Sequence, residues 1–115
     1  MTLKSEIWIA AYLRRCTIQG LFGAVIRKGA AEAGSIFIVA DMLDGRVRLY
    51  GPPPGPAYGE SGDRRWSALT DDPVPRAQAL ALLERKQKVD PDLWIVDVED
   101  RTGVALLEIE RDAPL

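Results

Sequence analysis

The sequence predicts a single α+β domain over residues 1–115, with a largely antiparallel sheet of about five or six strands and two helices packed on one face. Three observations carry that expectation. Two segments repeat apolar residues at helical spacing. The other ordered segments are short, β-branched or strictly alternating, and turn signals join most of them into hairpins. The composition, 47% hydrophobic and 28% charged over 115 residues, suffices to bury a core without metals or disulfides.

The first helix is expected from Ser5 to Gln19, with Ser5 as N-cap and Gly20 as the residue that ends it. Ile9, Tyr12, Leu13 and Cys16 form one apolar stripe; Ile7, Ala10, Ala11 and Ile18 form a second. A helix apolar on two sides asks for two contact surfaces, such as a sheet and a subunit partner. Lys4, Trp8, Arg15 and Gln19 project between the stripes.

Leu21 to Lys28 reads as a strand and Gly29 to Gly34 as a loop of small residues. Ser35 to Met42 is a stronger strand, apolar on both faces, which suggests a central position covered on two sides. Asp44-Gly45 predicts a two-residue type I′ hairpin turn into Arg46–Tyr50, with Val47 and Leu49 inward. Residues 51–65 hold four Pro and four Gly, so this stretch is a surface loop. Trp66 to Leu69 follows as a short strand.

Asp72 is expected to cap the second helix, with Pro73 and Pro75 in its first turn and Ala79, Leu80, Leu82 and Leu83 as its buried face. Asp90-Pro91-Asp92 stops it. Leu93–Glu99 alternates as a strand. Asp100-Arg101-Thr102-Gly103 then predicts a hairpin into a last strand, Val104–Glu110, with Ala105, Leu107 and Ile109 inward and a frayed tail over residues 111–115.

Histidine is absent from the chain, which removes Ser–His, Cys–His and His-ligated metal chemistry within one subunit. Cys16 stands alone, so no intramolecular disulfide forms and a structural zinc site is remote; both fit a reducing cytoplasm. A net charge of -2 disfavours a general grip on nucleic acid or anionic lipid. The N-terminus does not read as a signal peptide, and no apolar run reaches the ~18 residues of a membrane span. No cofactor motif is present: Gly29 and Gly34 match neither a P-loop nor a dinucleotide fingerprint.

Two constellations remain. Asp97, Glu99 and Asp100, with Asp90 and Asp92 nearby, could hold a hard cation or act as an acid–base pair. Alternation of an apolar inner face with a wet outer face predicts the same pattern, and is the default reading. The element order is similar to that of restriction-endonuclease-type nucleases, with Asp41 or Asp44 as a first acid. Arg46-Val47-Arg48 supplies neither the carboxylate nor the lysine that such a site needs on its next strand.

The second constellation is aromatic and basic. Trp8 sits at the rim of the first helix's apolar surface beside Arg15, where an interface anchor is placed. Tyr58, Arg64, Arg65 and Trp66 mark the end of the Pro/Gly loop, where Arg and aromatic rings could stack a base, clamp an anion or anchor the loop. The expected interaction surface is therefore Trp8, Tyr12 and Arg15, joined by Tyr58, Arg64, Arg65 and Trp66.

Leu3-Lys4-Ser5-Glu6-Ile7-Trp8, Gly29-Ala30-Ala31-Glu32-Ala33-Gly34 and Asp90-Pro91-Asp92-Leu93-Trp94 together resemble an uncharacterised family of short alphaproteobacterial proteins of this length, a domain of unknown function. The resemblance implies a bacterial, cytoplasmic, single-domain protein and carries over no catalytic residue. The expectation is a non-enzymatic binding protein whose partner is another protein or a second copy of itself. A carboxylate-based metal-binding protein or hydrolase and a single-strand nucleic-acid binder are the alternatives.

Overall fold

The computed structural model of the chain describes residues 3–55, 58–59 and 63–108. The elements run α1 (Ser5–Ile18), β1 (Phe22–Arg27), β2 (Ile36–Asp41), β3 (Arg46–Gly51), β4 (Ser67–Ala68), β5 (Val74–Pro75), α2 (Arg76–Val89) and β6 (Trp94–Glu99). The strands form one open sheet in the order β1-β6-β2-β3-β4, with β5 also on β3. Every pairing is antiparallel except β2 with β6. The fold class is α+β, as expected.

The helices do not share a face. Side chains alternate along β2, so Ile36, Ile38 and Ala40 meet Ile9, Tyr12 and Cys16 of α1, while Phe37 and Val39 meet Ala79 and Leu83 of α2. A central strand apolar on both sides leaves each layer about 25 cal/mol per Å² of reason to be covered. The parallel β2–β6 pair also requires a crossover, and α2 supplies it. The two-faced apolar pattern of β2, visible in the sequence, was the better guide to helix placement.

Two corrections concern the second half. No strand follows β6 within the described residues: Val104–Glu108 is a turn-rich segment, with left-handed φ values of 54° at Ala105 and 58° at Leu106. The reason is topological. β6 already pairs with β1 on one edge and β2 on the other, so no edge remains for a hairpin partner. Ala105 and Leu107 are still buried; Ile109, Glu110 and the tail 111–115 lie outside the described residues. The second helix starts later than expected, at Arg76. Val74 precedes a proline and is pushed to extended backbone, where it pairs with Val47. Asp72 is therefore not its cap, and Leu80 is exposed, on the side of α2 turned away from the sheet face that Ala79 and Leu83 cover.

Smaller differences follow local geometry. Lys4, not Ser5, occupies the N-cap position of α1. Gly20 ends α1 as expected: its φ of 80° lets its N–H bond the Thr17 carbonyl and the Leu21 N–H bond that of Cys16. The β2–β3 hairpin forms, but Met42 N–H bonds Arg46 O, so Leu43, Asp44 and Gly45 make the loop instead of a two-residue turn. The second apolar stripe of α1 faces outward, with Ile7 and Ile18 exposed.

The three segments that carry the family resemblance meet in space. Ser5 and Glu6 N–H groups donate to the Glu32 and Ala31 carbonyls, Ala30 N–H donates to Asp92 O, and the Trp94 indole donates to Ala30 O at 2.7 Å. The small-residue loop thus ties the start of α1 to the start of β6.

The segment after β6 is pinned by Asp100, whose carboxylate accepts from Thr102 N–H, the Thr102 hydroxyl and Ala105 N–H. Burial alone would raise its pKa, but the donors on Thr102 and Ala105 hold it below the ordinary carboxylate value. A carboxyl depressed in the folded chain contributes stability above its unfolded pKa and loses it as pH falls through the folded value. Asp100→Asn is expected to melt lower than the parent near neutral pH, with a flatter melting-temperature profile below about pH 4. Parallel profiles for the two proteins would show that Asp100 carries no such linkage.

Candidate binding site

Trp8 lies one helical turn before Tyr12 on α1, and the two rings stack at 4.8 Å with 17° between their planes. Arg15 follows on the same face, its guanidinium carbon 5.7 Å from the Tyr12 ring centre. Trp66 joins this column from the loop. Its neighbour Ser67 pairs with Gly51 in the sheet, which brings the Trp66 ring to 5.2 Å from Trp8. Upstream, Tyr58 and Arg64 form an isolated antiparallel bridge, and Arg64 lies over the Tyr58 ring at 5.2 Å.

Arg64 is the hinge of the site. Its Nη2 donates to Ser5 Oγ at 3.0 Å, and Ser5 Oγ donates in turn to Gly34 O at 2.6 Å. The guanidinium therefore sits at the N-terminal end of α1, where the helix dipole is positive. Its Nε is buried with no hydrogen-bond partner among the described residues. Burial lowers the proton affinity of the Arg64 guanidinium, and Tyr58 partly offsets this.

Two cavities adjoin Arg64. One, of about 340 Å³, is lined by Trp8, Arg15 and Trp66 together with Leu3, Leu106 and Leu107, and carries Asp63 and Glu108 on its wall. The other, of about 230 Å³, is lined by Ser35, Pro52, Tyr58, Arg64, Arg65 and Trp66, with Ala33 and Ile36 behind them. The structure thus brings Trp8, Arg15, Tyr58, Arg64, Arg65 and Trp66 to one corner of the fold. Tyr12 is a correction: it is fully buried beneath Trp8, its hydroxyl donating to Ala105 O at 2.7 Å, and offers no surface to a partner. Sequence reading gave Ser5 only as a helix cap and Ser35 only as a strand start; Ser5 meets Arg64 from 59 residues away and Ser35 lines the smaller cavity, neither of which leaves a local signal.

Asp97, Glu99 and Asp100 do not converge on one point. Asp97 is held by Arg76, whose Nη2 lies 2.9 Å from Asp97 Oδ2 and whose Nη1 lies 3.2 Å from Asp41 Oδ2. Asp100 is spent on its own turn, and Glu99 is exposed. No group of three potential metal ligands occurs among the described residues. The Asp41–Arg76–Asp97 clamp ties β2, β6 and the first turn of α2 together; no spacing in the sequence announces it.

Fold and site together define a small α+β domain with an aromatic and guanidinium-lined pair of cavities where α1 meets the loop before β4. The chain belongs to the DUF1491 family, described as a protein of unknown function, whose model matches residues 3–108. It is similar to protein Atu0922 from A. tumefaciens, known from a solution structure: 39% identity, 98% of this chain and 100% of that one covered, TM-score 0.79. It is also similar to a DUF1491 family protein from Caulobacter crescentus CB15. The crystal structure of that relative gives 34% identity, 91% and 94% coverage and a TM-score of 0.75. These relatives are alphaproteobacterial. No curated protein matches the chain. Among the described residues no helix is long and apolar enough to cross a membrane.

Proposed function

We propose that this chain is a binding module that docks a protein partner at the corner formed by Trp8, Arg15, Arg64 and Trp66. The observation that carries the reading is their common lining of one cavity of about 340 Å³. Trp and Arg are the side chains most enriched where binding energy concentrates, because each offers large contact area and Arg adds directional donors. A copy of the same chain is one such partner. The reading places the protein in a reducing cytoplasm, supported by a lone cysteine, Cys16, that is buried. The dispersed carboxylates favour binding over metal-assisted hydrolysis.

Tagged parent, Trp8→Ala and Arg15→Ala chains, recovered from their native cell and compared by quantitative mass spectrometry, test this. A partner held by the parent should fall at least about tenfold with either variant, since a central anchor is worth about 2 kcal/mol or more. Glu84→Ala, on the exposed side of α2, should hold it fully. Sedimentation of the purified chain reads the self-association case. Equal recovery with all variants, together with a strict monomer, would overturn the reading.

A further inference from the structure

We infer that Arg64 is the receptor for a carboxylate carried on an apolar or aromatic body, seated in the smaller cavity against Tyr58 and Trp66. The inference rests on the docking reading above and names the chemistry that this corner recognises.

Arg64 is tied at Nη2 to the neutral hydroxyl of Ser5 and to the Leu3 carbonyl, its Nε is buried without an acceptor, and no carboxylate among the described residues pairs with it. A partly buried guanidinium with no paired carboxylate among the described residues is costly to hold, and such a group normally meets that cost with a carboxylate. Its position at the N-terminal end of α1 adds the positive pole of a 14-residue helix to the same spot. Both features raise the local potential, and both are relieved by an anion. The contrast with Arg76 is instructive: there two carboxylates, Asp41 and Asp97, complete the guanidinium, and the residue serves the fold.

The smaller cavity suits that anion. No carboxylate lines it among the described residues, Ser35 places a hydroxyl on its wall, and Tyr58 and Trp66 supply flat apolar surface. Its volume of about 230 Å³ matches a single carboxylate with a ring or short side chain behind it. A phosphate dianion fits less well. Asp63 and Glu108 stand on the wall of the adjoining cavity, and their negative charge weighs twice as heavily on a dianion as on a monoanion. In a docked partner the group is an acidic side chain beside an apolar one; a free aryl carboxylate presents the same chemistry.

Titration of the purified protein with benzoate and with the blocked dipeptide acetyl-Asp-Phe-amide tests this, followed by the Arg64 Nε–H resonance and by the indole N–H resonance of Trp66. At least one should bind saturably, and its neutral counterpart, benzamide or acetyl-Asn-Phe-amide, should bind at least about tenfold more weakly. Tighter binding of the dipeptide assigns the site to a partner's side chain; tighter binding of benzoate assigns it to a small free carboxylate. Arg64→Gln, which keeps a donor for Ser5, should lose the preference for the charged probe, and Arg64→Lys should keep part of it. Equal affinity for charged and neutral probes, or displacement of both by lower concentrations of inorganic phosphate, would overturn the inference. The wild-type comparison holds even if a variant misfolds. Partner capture that survives Arg64→Gln but not Trp8→Ala would remove the carboxylate site alone and leave docking intact.

Discussion

Gly29→Ala is expected to destabilise the protein by about 3 kcal/mol or more, enough to abolish much of the stability of a domain this size. A Cβ at Gly29 would lie 2.6 Å from both the carbonyl carbon and the oxygen of Leu93, and closer still to the Asp92 carbonyl oxygen. All three atoms are backbone, so no side chain can swing away. The approach is tight because Ala30 N–H donates to that same Asp92 oxygen at 2.9 Å and the Trp94 indole closes on Ala30 O. Denaturant unfolding reads the change directly. A midpoint within error of the parent would mean that the loop tying α1 to β6 has freedom the structure does not show. Gly45→Ala gives a useful contrast: its cost comes from a φ of 87° with open space around it, so strain at the turn and not collision sets its size.

The second large effect is expected from removing the hydroxyls of Tyr12 and Tyr50 together. Tyr12 donates to Ala105 O and Tyr50 to Gly103 O, both from buried positions, and these bonds hold a segment with no strand partners. Burial, reinforced by Cys16 beside it, pushes the Tyr12 phenol far above its usual pKa, so it stays protonated and remains a donor. Burial also raises that of Tyr50. Each Tyr→Phe change leaves a buried carbonyl without its donor, at about 1–3 kcal/mol apiece. The double variant Tyr12→Phe, Tyr50→Phe should lose about 2–6 kcal/mol and show faster amide exchange confined first to residues 100–107. Loss spread evenly over the sheet would indicate that the tyrosines act through core packing instead.

The type of most elements was legible because side-chain period is local. The α1 stripe of Ile9, Tyr12 and Cys16 and the two-sided apolar run of β2 each declare themselves within a dozen residues. Val104–Glu108, the described part of the expected last strand, misled for the same reason. It alternates like a strand, yet whether a strand forms depends on a free edge, and β1 and β2 had already taken both edges of β6. Tyr12 misled differently: its place on the helix suggested an accessible surface, but the segment after β6 folds back over it.

The residues of the candidate site were legible as types and not as a place. Aromatic and basic side chains at the α1 rim and at the end of the Pro/Gly loop stood out because alternation, caps and turns left them unexplained. Nothing local told that Arg64 would reach the first residue of α1, or that Trp66 would close on Trp8 across 58 positions of chain.

The sequence by itself determined the type of most elements, the glycine that ends α1, the central character of β2 and the absence of histidine chemistry. Those properties follow from side-chain volume, backbone freedom and periodicity within a few residues. The tertiary structure alone decided that β6 slips between β1 and β2, that the helices cover opposite faces, and that a guanidinium without a carboxylate partner among the described residues lies at the start of α1. Those depend on which apolar faces find cover and which edges remain open once the whole chain is collapsed, a competition among distant segments that no local window contains.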